Sequence, residues 1–138
     1  MTRLEINHRP IRVTLLTWLT LALVLWNGLR LLQAIFFWSI LKEYQAAPGP
    51  VYIAISGGFW FLSALLIARG IWQGKTWAWA GTIGSAAGYG SWYWFDRLVL
   101  EEPHANWPFA LTFTVLLAGI FGLLLFNHKT RAYFNKNK

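Results

Sequence analysis

A basic residue lies within one of the most apolar segments of the chain. The segment LVLWNGLRLLQAIFFW (23–38) contains Asn27, Arg30 and Gln33 among side chains that are otherwise almost all hydrophobic. Inside a lipid bilayer, an unpaired arginine costs about 2.5 kcal/mol or more. Arg30 therefore needs a partner, and a carboxylate is the group whose geometry best matches a guanidinium.

Asp96 is the carboxylate that fits this need. It is the only acidic residue within the apolar stretches of the chain. At about 1.5 Å per helical residue, Arg30 lies about 27 Å beyond Arg12, and Asp96 lies about 30 Å beyond Thr76. The two side chains are therefore expected at matching depth, near the outer end of the helices, where they can form an ion pair.

Several polar residues are predicted to accompany this pair. The predicted ligand-binding cluster comprises Arg30, Asp96, Tyr89 and Tyr52, with Asn27 and Gln33 as additional hydrogen-bonding groups. An ionisable residue in a membrane is by default a hypothesis for a functional site, here an outward-facing pocket for an anion or a polar head group. Two alternatives are that the pair only fixes the helix register, or that Arg30 extends to the outer head groups.

The sequence does not indicate catalysis, a cofactor or a metal site. It has no cysteine, and the short motifs of metalloproteases, serine hydrolases and phosphate-binding loops are missing. The three histidines, at positions 8, 104 and 128, fall in flanks or loops, so no two share a predicted helix at the spacing of metal ligands. We therefore predict a protein that is not an enzyme.

The residues that would position the cluster belong to four apolar stretches. Of the 138 residues, 57% are hydrophobic and only 12% are charged. The stretches 13–41, 51–72, 76–100 and 107–127 each reach the roughly 20 residues needed to cross a bilayer. A backbone in lipid must satisfy its own hydrogen bonds, so the stretches are predicted to be helices. The short links predict one all-α domain, an antiparallel up-down bundle of four transmembrane helices.

Basic residues predict the orientation. If the N-terminus is cytoplasmic, nine Lys and Arg residues lie inside (positions 3, 9, 12, 69, 75, 129, 131, 136 and 138) and two lie outside (42 and 97). This excess predicts cytoplasmic termini in the cell (inner) membrane. The net charge of +7 has the same explanation, because no nucleic-acid-binding motif accompanies it.

Aromatic and small residues suggest how the helices meet their surroundings. Most of the ten tryptophans, Trp92 among them, fall near predicted membrane interfaces, where aromatic belts are usual. In the third stretch, small residues share one helical face that allows close helix contact, either within the bundle or in a dimer. These predicted helix-packing residues are Gly81, Gly84, Ser85 and Gly88.

The layout resembles that of uncharacterised small four-span bacterial membrane proteins. The resemblance involves RPIRVTLL (9–16) and GKTWAWA (74–80) and covers the whole chain. It implies no activity and no functional residues. We therefore expect a non-catalytic protein that acts by packing, as an accessory subunit of a membrane complex or as a homo-oligomer, with the lipid bilayer as its environment. The alternative is a small binder or carrier that uses the Arg30–Asp96 cluster.

Overall fold

Helices account for nearly all of the chain that the structure describes. The computed structural model describes residues 9–45, 48–100 and 106–135. Its elements are α1 (Ile11–Phe36), α2 (Trp38–Glu43), α3 (Pro50–Trp72), α4 (Thr76–Phe95), a π-helical turn (Asp96–Leu100), α5 (Trp107–Leu125) and α6 (His128–Asn135). The predicted all-α class is confirmed for these residues.

Three of the helices, α1, α3 and α5, are long and apolar enough to cross a membrane. The third predicted span, α4, has 20 residues but is not among them. It contains no leucine or valine and many glycine, serine and threonine residues, so it is less apolar than α3 and α5. The helical state of α4 agrees with the prediction, while its passage through a membrane, the antiparallel arrangement and the orientation stay predictions.

Two of the predicted stretches are less regular than their apolar pattern indicated. The stretch 13–41 divides at Phe37, whose backbone leaves helical geometry between α1 and α2. The Leu41 amide still donates to the Phe37 carbonyl at 2.9 Å, so hydrogen bonding continues into α2. The stretch 76–100 ends its α-helical part at Phe95, and the π-helical turn then begins with Asp96.

The pairing of α1 with α3 is the most extensive helix contact in the described chain. The two backbones come close at Gly57, which is buried on α3. A Cβ built at Gly57 would lie 3.2 Å from the Leu31 amide nitrogen and 3.3 Å from the Asn27 carbonyl oxygen. The absence of a side chain at Gly57 therefore allows the backbone of α1 to approach α3.

A compact apolar core lies at the opposite end of this helix pair. Its buried members are Val13, Leu16, Ile67, Ile71, Ala78, Leu125 and Phe134. The last of these belongs to α6, a helix that lies beyond the last predicted span and was not anticipated. At the same end, Arg9 donates a 2.8 Å hydrogen bond to the carbonyl of Trp72. A cation is favourable there because Trp72 is the last residue of α3.

Candidate functional site

The polar residues of the candidate site come from three helices. Arg30 lies near the end of α1, Tyr52 near the start of α3, and Asp96 directly after α4. These three helix ends are adjacent, away from the apolar core that includes Phe134. The site therefore lies at one end of the helices, near the surface of the protein.

Arg30 and Asp96 meet in the structure. A guanidinium nitrogen of Arg30 (Nη2) lies 3.7 Å from Oδ2 of Asp96, and the two side chains are 20% and 5% exposed. This separation is an ion pair, but it exceeds the roughly 2.7–2.9 Å of a charge-assisted hydrogen bond. The geometry favours pairing over the alternative in which Arg30 extends to the head groups.

Trp92 connects this ion pair to α3. Its indole nitrogen donates a 2.9 Å hydrogen bond to the hydroxyl oxygen of Tyr52. The Arg30 guanidinium carbon lies 5.0 Å from the centroid of the Trp92 ring, within the usual range of a cation–π contact. The Tyr52 hydroxyl also lies within hydrogen-bonding reach of the Asp96 side chain. The ion pair is thus held between two aromatic residues.

Asn27 brings a second buried polar group to the site. Its side-chain nitrogen donates a 2.9 Å hydrogen bond to the Leu23 carbonyl. Because a carbonyl oxygen can only accept, the atom that bonds to Leu23 must be the amide nitrogen of Asn27. The oxygen Oδ1 therefore lies on the opposite side of the amide group. Tyr89 lies within hydrogen-bonding reach of the Asn27 side chain and interacts electrostatically with Arg30 and Asp96.

Two oxygen atoms of the site have unmet hydrogen-bonding capacity. Oδ1 of Asn27 and Oδ1 of Asp96 are buried and have no hydrogen-bond partner among the described residues. The residues are only 1% and 3% exposed. A buried polar atom without a partner costs about 1–3 kcal/mol, and such an atom in a native protein requires an explanation. Among the described residues no donor meets either acceptor, although the Tyr52 and Tyr89 hydroxyls lie nearby.

Three aromatic rings close one side of the site. The ring centroids of Trp60 and Tyr89 are 5.0 Å apart, those of Trp60 and Trp92 are 5.7 Å apart, and those of Tyr89 and Trp92 are 5.4 Å apart. This group packs α3 against α4 beside the ion pair. Sequence reasoning assigned Trp92 to an interfacial belt and missed its contacts, although its position on the same helical face as Tyr89 and Asp96 was a usable signal.

We define the polar cluster as Asn27, Arg30, Tyr52, Tyr89, Trp92 and Asp96. Of the six residues predicted for ligand binding, five belong to this polar cluster, and Gln33 does not. The side chain of Gln33 is exposed on α1. No hydrogen bond joins it to the cluster among the described residues.

The predicted packing face of α4 has a more open setting than Gly57. A Cβ at Gly84 would meet nothing within 4 Å. At Gly81 it would meet the ring of Trp77 at 3.3 Å, and at Gly88 it would meet the ring of Trp60 at 3.4 Å. The role of this face, which includes the half-buried Ser85, stays a prediction, and a contact outside the chain remains available to Gly84.

Comparison with known proteins adds no further assignment. No family model matches the chain, and no curated protein or solved structure matches it. Two of the three histidines, His8 and His104, lie outside the described residues. Among the residues that are described, no three acidic or histidine side chains group as metal ligands.

Proposed function

We propose that this is a non-catalytic integral membrane protein that acts by helix packing, as an accessory subunit of a membrane complex or as a homo-oligomer. The observation that carries the proposal concerns α5. Only 11% of its most apolar 18-residue window is buried within the chain, against 28% for α1 and for α3. A helix this apolar requires lipid or another membrane protein to cover it.

The proposal includes a topology. The four helices α1, α3, α4 and α5 each cross the inner membrane, in alternating directions, with both termini in the cytoplasm. The supporting observation is the nine-to-two excess of Lys and Arg on the side that holds the termini. In this arrangement the polar cluster lies near the outer surface.

Reporter fusions test the topology. A fusion at residue 138 is expected to give a cytoplasmic signal, and one inserted within residues 44–48 is expected to give an external signal, because segments rich in Lys and Arg stay inside. A cytoplasmic signal from the 44–48 fusion would contradict the orientation. A matched fusion within the 73–75 link, which carries Lys75, is the internal control and should report the cytoplasmic side.

Cysteine crosslinking tests the homo-oligomer. Since the chain contains no cysteine, single cysteines can be introduced at Gly84, on the open face of α4, and at Leu123, which is 75% exposed on α5. If two copies meet through α5, Leu123→Cys should form a disulfide-linked dimer in membranes, and if they meet through the small-residue face of α4, Gly84→Cys should do so. Absence of a dimer from both variants would contradict the homo-oligomer.

A second candidate function is the binding of a small molecule or lipid head group by the polar cluster. The observation that favours it is the pair of buried oxygens without partners, on Asn27 and Asp96. A purely structural ion pair is more stable when every buried polar atom is satisfied. The unmet acceptors therefore support a role in binding.

A further inference from the structure

The unmet groups of the polar cluster specify the chemistry of a ligand. Oδ1 of Asn27 and Oδ1 of Asp96 are acceptors, and the only groups that satisfy them are N–H or O–H donors. The bond to Leu23 fixes the orientation of the Asn27 amide. Exchanging its oxygen and nitrogen would break that bond, so Oδ1 still needs a donor. A ligand that fits must therefore bring hydrogen-bond donors.

The charges of the cluster restrict the ligand further. Arg30 and Asp96 together carry no net charge, and they lie side by side at 3.7 Å. A purely cationic ligand would be repelled by Arg30, and a purely anionic one by Asp96. A ligand with one positive and one negative group can place each beside its opposite.

Arg30 retains donors for the negative group of such a ligand. A guanidinium carries five N–H groups. The Arg30 side chain forms an ion pair with Asp96 at 3.7 Å but donates no hydrogen bond to any of the described residues. It is 20% exposed. Its remaining N–H groups suit a phosphate or carboxylate, the anions that a guanidinium binds with two parallel hydrogen bonds.

We propose that the polar cluster binds an amino zwitterion, a group that carries a primary ammonium and a phosphate or carboxylate. The ammonium donates to Oδ1 of Asn27 and Oδ1 of Asp96, and the anionic group accepts from Arg30. The inference rests on the second candidate function and names its ligand class. It also narrows the sequence prediction of an anion or a polar head group, because an anion alone leaves both acceptors unmet.

The position of the cluster is accessible to such a ligand from two sources. Tyr52 lies in the first turn of α3 and is half-buried, so the cluster is near an end of the helices, at the level where lipid head groups lie if α3 spans the membrane. One source is phosphatidylethanolamine in the bilayer. The other is a soluble amino zwitterion of the same chemistry, such as phosphoethanolamine.

A pair of matched head groups tests the proposal. Ethanolamine and choline phosphates have the same net charge, but the choline nitrogen has no N–H donor. The protein is reconstituted into phosphatidylcholine vesicles with or without phosphatidylethanolamine, and its thermal unfolding midpoint is measured. In a second arm, phosphoethanolamine or phosphocholine is titrated into the detergent-solubilised protein. We expect phosphatidylethanolamine to raise the midpoint. If the ligand is soluble, we expect phosphoethanolamine to bind about tenfold or more tightly than phosphocholine.

Variants separate direct binding from a general effect of the bilayer. Asn27→Leu removes one acceptor and should abolish the preference for ethanolamine. Gln33→Leu removes an exposed amide from the same helix and should leave the preference intact. If Asn27→Leu does not fold, Asp96→Asn keeps the shape of the carboxyl group and should also abolish the preference.

The possible results bear differently on the ligand class and on the binding function. An ethanolamine preference that persists in Asn27→Leu and Asp96→Asn would overturn the proposal, because it would come from the bilayer. Equal binding of ethanolamine and choline, lost in Arg30→Leu, would overturn the ligand class and leave the binding function standing. Absence of binding in both arms would overturn both.

Discussion

Replacing either Arg30 or Asp96 by leucine is expected to lower the free energy of unfolding by about 1–3 kcal/mol. The reason is that each single replacement leaves the other residue charged in a largely buried position. Replacing both should recover much of the loss, since an apolar pair has no unmet charge. The expected result is a clear coupling energy between the two positions.

The measurement is a double-mutant cycle on the protein in detergent. A matched control cycle combines Arg30→Leu with Glu43→Leu, since Glu43 is an exposed acidic residue at the end of α2. That control should show additive effects. A coupling energy near zero for Arg30 and Asp96 would contradict the pairing and restore extension of Arg30 to the head groups as its explanation.

The same double variant also distinguishes an ion pair that only fixes the helix register from one that binds a ligand. If Arg30 and Asp96 only fix the helix register, the double leucine variant should be stable and keep any response to phosphatidylethanolamine. If they bind the zwitterion, the variant should be stable but lose that response. The two roles predict the same stability and differ only in ligand dependence.

The meeting of Arg30 and Asp96 was predictable because it depends on simple physical quantities. The cost of charge in an apolar segment requires a partner, and the rise of a helix sets the depth of each residue. Asn27 and Gln33 each lie three residues from Arg30, so helical spacing predicts both of them beside it. These features depend on the number of residues between positions along one helix, which can be read from the sequence.

The remaining features depend on how helices are oriented around each other. The π-helical turn that begins at Asp96 departs from the regular 100° periodicity on which the prediction of a helix over 76–100 depends. Gln33 has the same separation from Arg30 as Asn27 but is exposed on α1, and which of the two faces the neighbouring helices depends on where those helices lie.

Close helix packing is also seen on an element other than the predicted face of α4, whose role stays a prediction. The glycines of α4 form a recognisable spacing, whereas a Cβ at Gly57 of α3 would come close to backbone atoms of α1. Glycine is common in membrane helices, so its spacing alone does not identify the helix that approaches. The choice between Gly57 and Gly84 required the positions of the neighbouring helices.

Gly57→Leu is expected to lower the free energy of unfolding by about 1–3 kcal/mol, the usual cost of overpacking. A Cβ there would lie 3.2 Å from the Leu31 nitrogen and 3.3 Å from the Asn27 oxygen, and these are backbone atoms that cannot move without moving α1. The adjacent Gly58→Leu is the matched control. Its Cβ would meet only the tip of the Leu31 side chain, at 4.0 Å.

The effect of Gly57→Leu should extend to the polar cluster. Its Cβ would also lie 3.5 Å from the Cβ of Arg30, so displacing α1 moves Asn27 and Arg30 away from Asp96. Repeating the Arg30–Asp96 double-mutant cycle in the Gly57→Leu background should give a reduced coupling energy, while the Gly58→Leu background should leave it unchanged. If both backgrounds keep the full coupling energy, the close approach at Gly57 does not position the ion pair.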